Sequence, residues 1–324
     1  MSRRFKVAMS PTMEQQAVKF KERRLADFVY ELLKEENPDV ELVFFHGLQM
    51  EGSPPEYSHW RTWKLRDSEE CWPETLLPRI LKGKDSQLKP RVLSISYEGR
   101  LNLAKYGNVM SDEYLISECL VDNIIFDCRV GQRKGVPVFL IGHDLGGILI
   151  KRFVMMVENQ GAVQPDAAKK AKILSFLENL KSVFFFATPH CGSPAIEKMA
   201  ASIPEDDANQ MLQLMKVLSK HTARTNEEFR KFRLEKTESG KPGFTSHAIH
   251  ASHVTNEGGF YNVVVVPEGS SRNDVDSFYT TSANHFSVCQ PRDESSSPVK
   301  TICKEIMEVV SKAKDGSAGT RGRR

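Results

Sequence analysis

Apolar positions come along this chain in two rhythms. Between residues 11 and 36 the pattern is helical. Leu25, Phe28, Val29, Leu32 and Leu33 fall at i, i+3, i+4, i+7 and i+8, one apolar stripe. Asn37-Pro38 ends that segment, because the residue before a proline is steered away from helical backbone. The second rhythm is the short, wholly apolar run of a strand buried on both faces. Residues 42–45 form such a run, and further strand runs, some with a polar residue, cover 92–96, 136–141, 183–186 and 262–266. Helical stretches separate them: a short one beginning at Trp72, then 111–133, the segment after Gly146, 167–180 and a final one over 298–313. Residues 50–70 and 99–110 read as polar loops. Strands alternating with helices predict a doubly wound, mostly parallel sheet.

Residues 195–255 interrupt the alternation. They are helix-rich, with only a doubtful strand piece near 247–253, and Met199, Met211, Leu212, Leu214, Met215 and Leu218 form a soft apolar surface. A helical cap-like insertion is the expectation, with ordinary packing on the core as the plain alternative. The predicted organisation is a basic segment and helix over 1–36, an α/β domain over 37–313 and a disordered basic tail over 314–324, which is poor in apolar residues.

Composition narrows the field only slightly. With 324 residues, 40% hydrophobic and 27% charged, the chain suits a soluble globular protein with a sizeable core. A net charge of +3 selects no partner, and no basic face interleaved with aromatics suggests nucleic acid. The six cysteines form no CxxC pair and read as reduced thiols of an intracellular protein. No apolar run is long enough to span a membrane, and no secretory signal is visible. No cofactor motif stands out. His247, His250 and His253 are spaced by three, which would spread them around a helix and alternate them across a strand, so no metal site is expected.

The chemistry gathers at one turn. The run Val138-Phe139-Leu140-Ile141 leads into Gly142-His143-Asp144-Leu145-Gly146, and an apolar helix leads out. Glycine, any residue, nucleophile, any residue, glycine between strand and helix is the layout of a nucleophile elbow. The middle residue here is Asp144 rather than serine. Glu268 and His285 follow downstream, so nucleophile, acid and histidine come in the order that hydrolases of this layout use. Asp274 and Asp276 are alternative acids. The strand over 42–45 runs into His46-Gly47-Leu48, so the Leu48 and Leu145 N–H groups are the expected oxyanion donors. His143 is expected to pack beside the elbow.

Several stretches together resemble one family. They are Val43-Phe44-Phe45-His46-Gly47, Trp72-Pro73 with Leu76-Leu77-Pro78, Leu140-Ile141-Gly142-His143 with Leu145-Gly146-Gly147, Thr188-Pro189-His190 with Gly192-Ser193-Pro194, Val265-Val266-Pro267, and His285 with Cys289 and Pro291. In that combination the chain resembles the serine-active-site-containing (SERAC-like) branch of the α/β hydrolases, related to lipases. The resemblance implies an α/β-hydrolase fold, ancestral hydrolysis of an ester or lipid acyl group, and association with mitochondrial or endoplasmic-reticulum membranes through peripheral contact. It also marks the departures. The family carries serine at the position of Asp144. Its acid falls one position later than Glu268, and an aspartate often precedes its histidine where this chain has Asn284. Three readings stay open. The site has lost or altered ester hydrolysis and persists as a binding or interaction module; or Asp144 attacks the carbon of an epoxide or alkyl halide; or Asp144 activates water as a general base.

Overall fold

The computed structural model describes residues 23–49, 57–104, 112–239 and 243–321, with the side chains of Glu113 and 314–321 outside the description. Eight strands form one sheet: β1 (Arg24–Ala26), β2 (Val29–Leu33), β3 (Val40–Phe45), β4 (Pro90–Ile95), β5 (Val138–His143), β6 (Leu180–Phe186), β7 (Thr245–Ala251) and β8 (Ser277–Thr281). Their spatial order is β1-β2-β4-β3-β5-β6-β7-β8. β1 and β2 are antiparallel, as are β2 and β4, and every other pair is parallel. This is the α/β-hydrolase fold. The helices longer than one turn among the described residues are α1 (Leu76–Lys84), α2 (Glu113–Val121), α3 (Leu145–Val163), α4 (Ala167–Asn179), α5 (Pro194–Ala200), α6 (Lys220–Glu238) and α7 (Ser297–Arg321).

Alternation along the strands splits the core in two. Val43, Phe45, Leu140, Val183 and Phe185 face α2, α3, α4 and α6, where Phe153, Phe176 and Phe229 complete the packing. Their neighbours Leu42, Phe44, Phe139, Ile141, Phe184 and Phe186 face the other way, onto α1, α7 and the tryptophans. Strands buried on both faces carry no polar alternation, which is why the apolar runs were readable. Trp63 and Trp72 stand edge-on to Phe44, with ring centroids 5.0 and 5.5 Å away.

Several expected elements differ. The helix over 11–36 lies partly outside the described residues, and the described part is the β1–β2 hairpin. Phe28 turns it at φ 65°, and Val29 pairs with Ile95 of β4. A five-residue strand can carry apolar residues at helical spacing. Here the free edge of β4 offers a ladder, so pairing overrides the local pattern. The helix expected over 111–133 is α2 followed by one π-helical stretch, Asp122–Asp127. Residues 262–266 form no strand beyond a single bridge between Thr255 and Val263. The last strand is β8, whose Ser-Phe-Tyr-Thr-Thr at the sheet's edge is only half-buried and so lacks an apolar run. The doubtful piece near 247–253 is β7, a full member of the sheet. α6 packs on α3, so the cap expected over 195–255 includes elements of the main layers. α7 runs to Arg321, through much of the tail expected to be disordered.

Candidate active site

Parallel strands deliver their carboxyl ends to one edge, and three of them meet there. β3 runs into His46-Gly47-Leu48, β5 into Asp144 and β6 into Thr188. Asp144 has φ 52° and ψ −121°, backbone that disfavours any side chain. Its N–H donates to the Phe186 carbonyl at 2.8 Å, which ties the elbow to β6. A side chain at Gly146 would overlap the Phe45 and His46 carbonyls. A Cβ on Gly47 would lie 2.6 Å from that of Asp144. Both glycines are therefore required by close approach, which lets the β3 loop lie against the elbow.

The Asp144 carboxylate is enclosed, hydrogen-bonded at one oxygen and within ion-pair distance of His285 at the other. Leu48 N–H donates to Oδ2 at 3.0 Å. His285 Nε2 lies 3.3 Å from Oδ1, with the two side chains 4% and 1% exposed. Burial opposes charge on Asp144, but His285 and the Leu48 N–H outweigh it and hold the carboxyl below its usual range. Leu145 is the first residue of α3, so its N–H belongs to the helix's unsatisfied first turn, at the positive end of the helix dipole. Asp144, His285 and Leu48 thus lie together, with Leu145 next to Asp144 in the chain.

Two histidines brace this arrangement. Tyr97 N–H donates to His46 Nε2 at 3.2 Å, and His46 Nδ1 faces the Gly47 carbonyl at 2.7 Å. The ring is therefore neutral with its proton on Nδ1, and burial pushes it down to about 4. The Tyr97 hydroxyl also donates to the His46 carbonyl. His143 Nε2 lies 2.8 Å from the His285 carbonyl and must donate to it. Burial, with His285 beside it, pushes His143 down to about 4. His143 is thus an anchor for the histidine loop rather than mere filling. Trp72 Nε1 donates to the Cys289 carbonyl at 2.9 Å and holds the same loop from the far side.

The acid is where the sequence reading fails. Glu268 lies in a helical turn, its side chain 58% exposed and 3.6 Å from Arg272. Asp276 accepts from Ser246 N–H at 2.7 Å and pairs with Arg233. Asp274 lies on a different cleft, described below. Among the described residues, buried His285 Nδ1 has no hydrogen-bond partner. The loop after β7 supplies other contacts: Thr255 Oγ1 accepts from His285 N–H at 3.3 Å, and Glu257 accepts from Asn284 Nδ2 at 2.9 Å. Neither residue carries a motif, so only the chain's path reveals them. His247 stacks on Phe184 and reaches Glu305, while His250 stacks on Phe278. Among the described residues, no three His, Cys, Asp or Glu side chains converge as metal ligands would.

The chain is similar in sequence to the SERAC1 proteins. It is 20% identical to human (Homo sapiens) SERAC1 over 295 residues, 84% of this chain and 39% of that protein. It is 24% identical to the zebrafish (Danio rerio) protein over 173 residues, 48% of this chain and 22% of that one. The chain thus spans less than half the length of these relatives. No family model matches it. Similar solved structures include the mature Bacillus licheniformis lipase BlEst2, with TM-score 0.47, 14% identity, and 85% and 97% of the two chains covered. Another is the Paleococcus ferrophilus monoacylglycerol lipase, with TM-score 0.42, 14% identity, and 87% and 98% covered.

Proposed function

We propose that this protein keeps the α/β-hydrolase site as a ligand-binding pocket without ordinary ester hydrolysis. The observation that carries the reading is the double engagement of Asp144, by Leu48 N–H on Oδ2 and by His285 on Oδ1. Acyl transfer to a serine needs a hydroxyl proton that the histidine can take and an oxyanion that backbone N–H groups can receive. A carboxylate has no proton to give. Its product with an ester would be an anhydride, more reactive than the ester itself. Oδ2 also takes the Leu48 N–H that the tetrahedral oxyanion would need. Among the described residues, none supplies His285 Nδ1 with the acid that would orient the ring and stabilise its charge.

The SERAC-like resemblance supports a small-molecule or lipid ester, or its products, as the ligand class. It also supports a mitochondrial or endoplasmic-reticulum location with peripheral membrane contact. No helix among the described residues is long and apolar enough to cross a membrane.

One observation favours a second reading. With Oδ2 fixed by Leu48, Oδ1 is the oxygen left to attack an sp³ carbon, and His285 stands beside it to activate water on the resulting alkyl ester. That route also needs a donor for the departing oxygen or halide, and residues 195–255 contain no tyrosine to serve.

The test is a substrate panel of esters, epoxides and alkyl halides on wild type, Asp144→Ser and Asp144→Asn. The proposal expects no turnover by wild type and ester turnover only in the serine variant. Wild-type ester hydrolysis would overturn it. Epoxide or halide turnover abolished by Asp144→Asn would establish the second reading.

A further inference from the structure

A second polar cleft of about 280 Å³ lies between the turn after β6, the start of α6 and the Asn273-Asp274 loop. It shares none of the residues that hold Asp144 or His285. One wall is a stripe of α6 that includes Thr222, Asn226 and Arg230, with the N-cap Ser219 before it. His190 lies in the opposite wall, wholly buried, and neither ring nitrogen has a partner among the described residues. Asp274 Oδ2 is likewise buried without a donor there. Buried polar atoms are normally satisfied, so this cleft has unmet capacity for one acceptor and several donors.

At its mouth stands Cys191, the one exposed cysteine of the six. Its backbone is rigidly set. Cys191 N–H donates to Ser270 Oγ at 2.9 Å, and Ser270 Oγ donates to the Gly192 carbonyl at 2.8 Å. Behind the wall is Lys151 of α3, wholly buried, its Nζ donating to Asn226 Oδ1 at 2.9 Å between the rings of Phe185 and Phe229. Asn226 Nδ2 donates to the His190 carbonyl at 2.6 Å, so the amide cannot turn. Burial pushes Lys151 down to about 7, with Asp274 drawing it back up. Burial raises the Cys191 thiol, and Lys151 draws it down.

We propose that this cleft recognises a small zwitterionic aminothiol and joins it to Cys191 as a mixed disulfide. The unmet groups specify the ligand. An ammonium donates to Asp274 Oδ2 and to the acceptor nitrogen of His190, and a carboxylate accepts from the His190 N–H. A half-cystine carries both groups around one sulfur. The step is thiol–disulfide exchange with cystine. The Cys191 thiolate attacks one sulfur, the S–S bond of cystine breaks and a new one forms to Cys191. The other half leaves as cysteine, taking up the proton that Cys191 gave. The disulfide passes to the protein, and no further oxidant is needed.

The test compares four disulfides on the reduced protein, followed by peptide mapping: cystine, cystamine without the carboxylate, dithiodipropionate without the ammonium, and hydroxyethyl disulfide with neither. Cystine is expected to label Cys191 faster than dithiodipropionate by roughly tenfold or more, the value of one charge-assisted hydrogen bond. Asp274→Asn should erase that margin, and Cys191→Ser should remove the label while leaving the thermal midpoint unchanged. Equal rates for the four reagents, labelling first at another cysteine, or a margin that survives Asp274→Asn would each overturn the proposal.

Discussion

The elbow and the histidine loop touch through Asp144 and His285, yet they are held by different means. The elbow is part of the core. β5 is buried along its whole length, Asp144 N–H is bonded to β6, and Gly146 lies against the β3 carbonyls. The histidine loop hangs from a few side-chain bonds, from His143, Thr255 and Trp72, and its Nδ1 has no described partner. What packs the core stays in place whatever residue occupies the nucleophile position. At the positions that only catalysis needs, this chain has Asp144 in place of serine, and among the described residues no acid bonds His285 Nδ1. An intact elbow is therefore evidence for a fold, whereas the acid and the nucleophile decide the chemistry.

The strongest way to break the comparison is steric. Gly146→Ala pushes a methyl group into the Phe45 and His46 carbonyls and should cost about 3 kcal/mol or more, read from a denaturant midpoint. Gly269→Ala, in the turn expected to carry the acid, has nothing within 4 Å of its new Cβ and should change stability by less than about 0.5 kcal/mol. Equal losses at the two glycines would remove the distinction.

Next in size is the acid limb of stability. His46 and His143 each titrate near 6.5 when unfolded and near 4 in the fold. Below 6.5 the unfolded chain therefore binds the extra protons. Stability is full above that value and falls toward pH 4, by about 1.4 kcal/mol per pH unit for each ring. His143→Gln should flatten the pH dependence of the thermal midpoint between those limits. An unchanged slope would mean that His143 is charged in the fold.

Asp144 works lower on the scale. Its folded value lies below the unfolded one, so its contribution is present above about pH 4 and disappears as pH falls through the folded value. Asp144→Asn should lose stability at neutral pH and converge on wild type in acid. The smallest effect belongs to Glu268→Gln. An exposed ion pair with Arg272 is worth at most about 1 kcal/mol, and the variant should leave the esterase rate of an Asp144→Ser background unaltered. A large rate loss would restore Glu268 as the acid.

Much of the architecture is legible in the sequence. β3, β5 and β6 are buried on both faces along most of their length, so each carries an apolar run of four residues, and the elbow's glycines lie inside the motif itself. The edges were not legible. β2 and β8 are only partly covered, and their residues are spaced or composed in ways that a helix or a loop also permits. β7 is buried but interleaves His247 and His250 with its apolar residues, because both rings stack on neighbouring aromatics.

The parallel core, the position of Asp144 on a strand-to-helix turn, and the chain order that brings His285 to that turn follow from the sequence. Each follows from local rules: burial on two faces, the tightness of a glycine turn and the order of elements. Tertiary structure alone decided that Leu48 N–H is taken up by Asp144 itself, that Glu268 points to Arg272 and that His285 Nδ1 has no described partner. Those outcomes depend on where loops distant in the chain come to rest against one another. A hydrogen bond between residues 48 and 144 leaves no periodicity in the sequence that encodes it.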